Sequence, residues 1–316
     1  MAAKHRYRAG VVSRAVGVLG RILVIAGLFI LGFVAFQLWG TGLQESRAQD
    51  GLAADLAPAG TSSDGLEAVV GALARTDPAT APATAPPPEG DPVGVIEIPR
   101  IDLQRVVVEG VSKADLRKGP GHYPDTPLPG QAGNSGIAGH RTTYGAPFNR
   151  IDELNVGDEV VLTTPQGRFT YRVVEGPVKG QAWYSVDPED VSVLRDFGDD
   201  RVTLTACHPK YSARERIIVH AVLEGRPAVA APAVAAAVPP GGPERDTAAA
   251  DQDLGGDPSA LVPTLLWGGA ALAVGLFAWW IARRWERWPV YLVATPVVLV
   301  LVWCCYVQLD RYLPAL

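Results

Sequence analysis

Three long apolar runs, one near the N-terminus and two near the C-terminus, constrain this 316-residue chain more than any other feature. They cover residues 22–39, 261–282 and 289–307, and each approaches the roughly 20 residues that a helix needs to cross a membrane. We therefore expect one N-terminal and two C-terminal transmembrane helices, with any globular domain between them. A cleaved signal peptide is the alternative for the first run, although this run is longer than a typical signal core and no clear cleavage site follows it.

Basic residues flank these runs and predict their orientation. Several precede the first run, and the connector between the second and third runs, residues 283–288, reads Arg-Arg-Trp-Glu-Arg-Trp. Because positive charge accumulates on the cytoplasmic side, the N-terminus and this connector should be cytoplasmic, with residues 40–260 outside. The net charge of -5 leaves no domain-wide basic face, which argues against nucleic acid as a partner.

Composition divides the part of the chain between the anchors. Residues 52–92 and 226–258 are rich in Pro and Ala and poor in core-forming side chains, which is typical of extended, poorly ordered linkers. The sequence therefore predicts a series of segments in chain order. They are a basic tail with the first anchor at 1–40, a stalk at 41–92, a globular domain at 93–225, a disordered linker at 226–260, a transmembrane hairpin at 261–307 and a short outer tail at 308–316.

The globular segment predicts an all-β fold. Its β-branched runs are short and are separated by Gly, Pro and Asp, which favours a small barrel or sandwich. We expect strands at 93–98, 105–111, 135–139, 159–164, 169–174, 201–207 and 217–223, and short helical turns at 147–154 and 187–195.

Cys207 is the first candidate for chemistry, because it is the only cysteine between the anchors. A lone thiol in a compartment that favours disulfides is a liability unless it is buried or used, and a small core residue is the structural alternative. Alternation places Cys207 on the polar face of its strand, opposite Leu204 and Ala206. Pro209 cannot continue a ladder, so the thiol should lie at the rim, within reach of a substrate.

A thiol with a reference pKa of about 8.5 needs a neighbouring base or cation to act as a nucleophile. The histidines available outside the anchors are His122, His140, His208 and His220. His140 is the favoured base, because it follows a Gly-flanked strand where the chain must turn and the side chain can face a cleft. Arg216 opens the last strand, where its guanidinium could stabilise an oxyanion beside the thiol, and Arg214 is its competitor. An ordinary structural or solvated role is the alternative for each of these side chains.

A series of motifs in this order resembles the sortases, the membrane-anchored cysteine transpeptidases of Gram-positive bacteria. The resemblance covers about residues 93–224, and its Gly-His-Tyr-Pro and Cys-His-Pro segments are most similar to the class E sortases of actinobacteria. The motifs are Ile96-Glu-Ile-Pro-Arg-Ile, Val108-Glu-Gly-Val, Gly119-Pro-Gly-His-Tyr-Pro, Leu128-Pro-Gly-Gln-Ala-Gly-Asn, Gly139-His-Arg-Thr-Thr, Leu154-Asn-Val-Gly-Asp, Thr203-Leu-Thr-Ala-Cys-His-Pro and Arg216-Ile-Ile-Val.

The resemblance implies an eight-stranded barrel with short helices, in which Cys207 is the nucleophile, His140 the general acid/base and Arg216 the residue that stabilises the acyl intermediate. It implies cleavage of a Thr-Gly bond in a C-terminal sorting signal, of LAxTG or LPxTG type, on secreted proteins. The acyl group would then pass to an amine of a peptidoglycan precursor. No cofactor is implied, and the adjacent Cys207 and His208 lack the spacing of a zinc site.

Substrate contacts are expected near the two reacting side chains, at Tyr144, Thr205, Ala206 and His208. Ala206 stands where the family motif usually has Thr, so a hydroxyl that helps to line the substrate site is missing. A second departure is the C-terminal hairpin, since most sortases carry a single anchor.

Three alternative functions remain, two that use the same residues for catalysis and one in which these residues have no catalytic role. A cysteine endopeptidase would hydrolyse the thioester with water, and so trim surface proteins or release them. A pilin polymerase would pass it to another protein. A catalytically silent scaffold would leave Cys207 without special reactivity.

Overall fold

The computed structural model describes residues 2–60, 65–231, 257–285 and 287–313, with the backbone alone for residues 2–15. It divides into two compact units, one of Met1–Gly40 with Pro263–Asp310 and the other of Thr41–Val262 with Arg311–Leu316. The described α-helices are α1 (Ala2–Ala35), α2 (Thr41–Leu56), α3 (Leu66–Leu73), α4 (Lys113–Leu116), α5 (Leu261–Ala282) and α6 (Arg287–Tyr312). The described strands are β1 (Pro92–Ile98), β2 (Leu103–Glu109), β3 (Gly121–His122), β4 (Asn134–Ala138), β5 (Glu159–Thr164), β6 (Gly167–Val173), β7 (Trp183–Val186), β8 (Arg201–His208) and β9 (Glu215–Glu224).

The strands of the second unit form a closed barrel. Their order is β6-β5-β1-β2-β3-β4-β8-β9, and β9 pairs back with β6 to close a ring of eight. β7 pairs with the first half of β9 and stands outside this ring. The pairs β2–β3 and β4–β8 are parallel, whereas the others are antiparallel. The predicted eight-stranded barrel is confirmed.

Each strand expected from the sequence is present, within two residues at either end. The sequence missed β3 and β7, which span two and four residues and are too short to show a period of alternation. Short 3-10 turns occur at Ile151–Glu153 and Val191–Leu194, inside the two windows where helical turns were expected.

Alternation along the strands fills the barrel. Val202, Leu204 and Ala206 of β8 pack in the main hydrophobic core, together with Ile217 and Val219 of β9. Burial of such side chains stabilises a fold by about 25 cal/mol per Å² of apolar surface. The opposite face of β8 is therefore left for polar residues and for Cys207.

The segment predicted as an extended stalk is partly helical, which corrects that prediction for α2 and α3. Leu52 and Leu56 of α2 and Val69, Val70 and Leu73 of α3 form a second core over Val95, Val106 and Val108 of the barrel. Their spacing gives each helix an apolar face, which the Pro- and Ala-rich composition of the wider segment concealed. The predicted linker lies largely outside the described residues, at 232–256.

The long apolar helices lie mainly in the first unit. Among the described residues, three helical stretches are long and apolar enough to cross a membrane, namely Val16–Leu56, Pro258–Ala282 and Arg287–Tyr312. Within this unit, the Tyr306 hydroxyl donates to the Phe29 carbonyl oxygen at 2.8 Å, and Gln37 Nε2 donates to Asp310 Oδ1 at 2.9 Å. α6 continues to Tyr312, so the predicted boundary at 307 falls inside a helix.

Candidate active site

Cys207 occupies the penultimate position of β8 and is half-buried. It shares a face with Thr203 and Thr205, while Leu204 and Ala206 point into the core. β8 continues one residue further than expected, to His208. The thiol therefore lies at the end of a central strand, on the face that does not pack in the barrel interior.

Arg216 is brought opposite Cys207 by the pairing of β8 with β9. The antiparallel register joins Cys207 to Arg216 and Thr205 to Ile218. Directly opposed residues in such a pair project to the same face with Cβ atoms about 4.5–5.5 Å apart, so the guanidinium can reach the region of the thiol. Arg214 is exposed and precedes β9, and its amide N–H donates to Ser212 Oγ at 3.3 Å.

His140 reaches the same end of the sheet through the parallel pair β4–β8. Ala138 is in register with Thr205, and the Gly139 amide donates to the Thr205 carbonyl oxygen at 3.0 Å. His140 lies two residues beyond Ala138, as Cys207 lies two residues beyond Thr205. Because paired parallel strands run in the same direction, both side chains emerge at the same rim.

The segment after His140 forms a compact loop, residues 140–148, which we call the His140 loop. Its ends are joined because the Phe148 amide donates to the His140 carbonyl oxygen at 3.0 Å. His140 is only 7% exposed, and its ring centroid lies 5.4 Å from that of Tyr144. The imidazole is thus held by its surroundings and is not a freely rotating surface group.

Polar side chains support β8 below the thiol. The hydroxyls of Thr205 and Tyr123 are 3.1 Å apart, and Thr203 Oγ1 donates to Asn134 Oδ1 at 2.7 Å. Since the Thr203 hydrogen is used in this way, His220 Nδ1 is the donor in its 2.9 Å contact with Thr203 Oγ1. His220 Nε2 then accepts from the Tyr184 hydroxyl at 2.8 Å.

Burial keeps His220 neutral. Desolvation, followed by the nearby positive charge of Arg201, lowers the pKa of His220 to about 4. Burial, followed by the negative charge of Asp190, raises the pKa of Tyr184. A neutral imidazole with one donor and one acceptor fits the two hydroxyl partners of His220.

His122 is a poor candidate for the base that activates the thiol, because both of its ring nitrogens already have hydrogen-bond partners. It is fully buried, with Nδ1 2.8 Å from Glu109 Oε2 and Nε2 2.9 Å from the Pro127 carbonyl oxygen. His122 therefore has a structural environment inside the barrel, whereas His140 emerges at the rim where Cys207 lies.

An ionic cluster that was not predicted from the sequence joins the His140 loop to the end of β8. Arg141 is 2% exposed, and its Nη1 donates to His208 Nδ1 at 2.9 Å while its Nη2 lies 2.7 Å from Asp152 Oδ2. Desolvation opposes ionisation of Asp152, but the hydrogen bond from Arg141 lowers its pKa overall. The only sequence signal for this cluster was the adjacency of Arg141 to His140 and of His208 to Cys207.

The predicted substrate-contact residues have different environments. Thr205 lies on the face of Cys207 but is 4% exposed. Tyr144 is 4% exposed and packs against His140, and the His208 ring lies 5.6 Å from that of Trp183. Ala206 is equally buried and points into the hydrophobic core, on the opposite face of β8 from Cys207.

Within the described part of the chain, no three His, Cys, Asp or Glu side chains converge as metal ligands do. The candidate site therefore consists of a thiol, an imidazole and a guanidinium at one rim of the barrel. This arrangement can supply a nucleophile, a proton carrier and an oxyanion partner.

Comparison with known proteins gives concordant matches. The Sortase domain family matches residues 96–224. Sortase D of Bacillus subtilis is 31% identical over 188 residues, which is 59% of this chain and 86% of that protein. Sortase SrtE1 of Streptomyces coelicolor is 32% identical over 238 residues, 69% of this chain and 59% of its own length. Among solved structures, the SrtF sortase from Corynebacterium diphtheriae is 33% identical with a TM-score of 0.43, over 46% of this chain and 91% of that chain.

Proposed function

Since this chain belongs to the sortase family of cysteine transpeptidases, we propose that Cys207, His140 and Arg216 form its catalytic centre. The observation that carries the proposal is the strand register. β8 pairs with β9 so that Cys207 faces Arg216, and with β4 so that His140 emerges at the same rim. These pairings support assigning to the three side chains the roles that acyl transfer through a thioester needs.

We propose that the acyl donor is the Thr-Gly bond of a C-terminal sorting signal on a secreted protein. The Cys207 thiolate attacks the threonine carbonyl carbon, and His140 protonates the departing glycine amine as the C–N bond breaks. The product is a thioester between Cys207 and the threonine carbonyl. The resemblance to the class E sortases implies a Leu-Ala-x-Thr-Gly signal in preference to Leu-Pro-x-Thr-Gly.

The second half-reaction transfers the acyl group to an amine. The proposed acceptor is an amine of a peptidoglycan precursor, which attacks the thioester carbonyl while His140 takes its proton and the Cys207 sulfur leaves. Arg216 is assigned to the carbonyl oxygen, where its N–H groups stabilise the negative charge that develops in both tetrahedral intermediates.

We also propose a membrane topology for this activity. The N-terminus and the loop between α5 and α6 are cytoplasmic, and the barrel is extracytoplasmic. The basic residues around the apolar helices support this orientation. Membrane anchoring would hold the enzyme beside translocated substrates and lipid-linked acceptors, which raises their effective concentration.

The direct test uses the full chain in detergent with a Leu-Ala-x-Thr-Gly peptide and an amine acceptor, analysed by mass spectrometry. We expect a ligated product and a trapped thioester on Cys207, both absent from Cys207→Ala. Arg214→Met is a matched surface control and should ligate normally. Cleavage with water as the sole acceptor would instead support an endopeptidase, and ligation that survives in Cys207→Ala would overturn the proposed nucleophile.

A further inference from the structure

The His140 loop has an unusual backbone. Tyr144, Gly145 and Ala146 follow one another with φ values of 50°, 71° and 44°. Only glycine adopts this left-handed region without a steric penalty, so Tyr144 and Ala146 need stabilising contacts. Ala146 has them within the loop, since its amide donates to the Thr143 carbonyl oxygen at 2.9 Å. Tyr144 and Gly145 are also contacted from outside the loop.

The contacts come from the first turns of α2, which lies more than 80 residues before the loop in the chain. The Tyr144 amide donates to Thr41 Oγ1 at 3.1 Å, and Thr41 is 1% exposed. Glu45 packs on the next residue so closely that a Cβ at Gly145 would lie 2.6 Å from its Oε2. Glu45 is itself fixed by Arg105 of β2, whose Nε donates to Glu45 Oε1 at 2.8 Å.

Tyr144 connects these contacts to the candidate acid/base. Its buried ring lies 5.4 Å from the His140 ring, and the guanidinium of Arg117 lies 5.6 Å from the Tyr144 ring centroid. A change in the Tyr144 backbone therefore moves a ring that packs on the imidazole. Since His140 must meet both the thiol and the leaving amine, small displacements of it reduce the rate more than they reduce binding.

We propose that Thr41 and Glu45 are positioning residues for the acyl-transfer reaction, acting through Tyr144 on His140. The inference rests on the proposed role of His140. It extends the functional enzyme beyond the family match at residues 96–224, to the helix that directly follows the N-terminal apolar run. A barrel that starts at residue 93 would lack the element that shapes its own catalytic loop.

The main test compares Thr41→Val with Thr41→Ser in the full chain in detergent. Val keeps the shape of Thr but cannot accept the Tyr144 N–H, whereas Ser can. We expect Thr41→Val to lower kcat for ligation about tenfold with KM changed less than about twofold, and Thr41→Ser to restore most of the rate. Ser46→Val, at an exposed position of the same helix, is the matched control and should behave as the wild type.

A second pair of variants changes the loop side of the contact between the His140 loop and α2. Gly145→Ala adds a methyl group that collides with Glu45, whereas Gly157→Ala carries a similar positive φ of 91° and meets nothing within 4 Å. We expect a selective loss of kcat in Gly145→Ala and not in Gly157→Ala. This pair keeps the proposal testable if Thr41→Val fails to fold.

Hydrogen exchange of residues 141–148 separates this proposal from the proposed function. We expect faster exchange of the Tyr144 amide in Thr41→Val and wild-type protection in Thr41→Ser, whether or not the wild type ligates the chosen peptide. Absence of ligation by the wild type would count against the proposed function alone. Unchanged exchange in Thr41→Val, or faster exchange with an unchanged kcat, would overturn the positioning role.

Discussion

At the scale of single residues, Arg216 illustrates why register matters more than residue type. Arg214 and Arg216 are both near the start of the last strand, but only Arg216 is paired opposite Cys207. Its planar guanidinium offers several fixed donors to an oxyanion, which the single ammonium of Lys cannot match. The two arginines should therefore differ sharply in their effect on activity.

We predict that Arg216→Met lowers kcat/KM for peptide ligation about 10²–10³-fold, the usual cost of losing one oxyanion partner. Arg216→Lys should recover only part of this loss, and Arg214→Met should stay within about twofold of the wild type. Steady-state ligation kinetics provide the measurement. Equal losses in Arg214→Met and Arg216→Met would contradict the assignment.

His220 gives a prediction for stability against pH. Its pKa is lowered from 6.5 to about 4 in the folded protein, first by desolvation and then by Arg201. Between pH 6.5 and 4 the unfolded chain binds a proton that the folded protein does not. The contribution of neutral His220 to the free energy of unfolding is therefore fully present above about pH 6.5 and is lost as the pH drops toward 4. We expect a loss of roughly 2–3 kcal/mol across this window.

Thermal unfolding at several pH values measures this effect, with His220→Gln as the comparison. Gln can still bond to the Thr203 and Tyr184 hydroxyls but does not titrate, so its stability should depend less steeply on pH between 6.5 and 4. A variant that retains the full slope of the wild type would assign the titration to other groups.

At the scale of elements, the segment between β4 and β5 is held by a buried ionic contact. Arg141 is almost fully buried and binds both Asp152 and His208, so it connects a 3-10 turn to the end of β8. Removing the carboxylate would leave a buried guanidinium without its counter-charge, which is costly in a low-dielectric environment. Exposed pairs nearby, such as that of Arg150 with Glu153, tolerate the loss of one partner because solvent screens the charge that remains.

We predict that Asp152→Asn lowers the free energy of unfolding by roughly 2–3 kcal/mol, less than for a wholly buried pair because Asp152 is 31% exposed. Glu153→Gln is the matched control on the same turn, and its effect should be much smaller because solvent screens its contact with Arg150. Chemical denaturation of the two variants measures the difference. Similar values for both would mean that the Arg141 contact contributes no more than a surface pair.

Helices α2 and α3 form the other element whose role the composition concealed. Leu73 is 4% exposed in the second core, whereas Leu43 on α2 is 57% exposed. We predict that Leu73→Ala destabilises the chain by about 2–5 kcal/mol through lost burial and a cavity, and that Leu43→Ala costs about 0.5 kcal/mol or less. Thermal unfolding of the full chain in detergent tests this, and an unchanged Tm in Leu73→Ala would argue that α3 is not part of the folded unit.

At the scale of the whole molecule, the proposed topology makes opposite predictions for the two ends of α5. Ser259 lies just before this helix and Arg284 just after it, and both are exposed. We predict that, in a chain without its native cysteines, Ser259→Cys reacts with an impermeant maleimide in intact cells. Arg284→Cys should react only after permeabilisation, because the proposed topology places its basic loop in the cytoplasm. The reverse labelling pattern would invert the proposed orientation.

Local patterns in the sequence predicted several structural features of this protein. Apolar length predicted the helices that could span a membrane, alternation predicted the core face of β8, and the isolation of Cys207 between the anchors singled out the thiol. These features are readable because a side-chain period depends only on neighbouring residues. The same kind of reading failed for α2 and α3, where a small apolar face was diluted by Pro- and Ala-rich neighbours.

Only the tertiary structure decided which residues meet. The register of the consecutive strands β8 and β9 selects Arg216 over Arg214 as the residue opposite Cys207. The parallel pair that brings His140 to the same rim and the contact of Thr41 with Tyr144 join segments that are distant in the chain. Local periodicity predicts which face of a strand a side chain occupies, but not which strand or helix lies beside it. The pairing register is a separate property, because shifting one strand by one residue leaves the composition unchanged and reverses every face. The chemistry of the site therefore depends on pairing, which the barrel closure enforces.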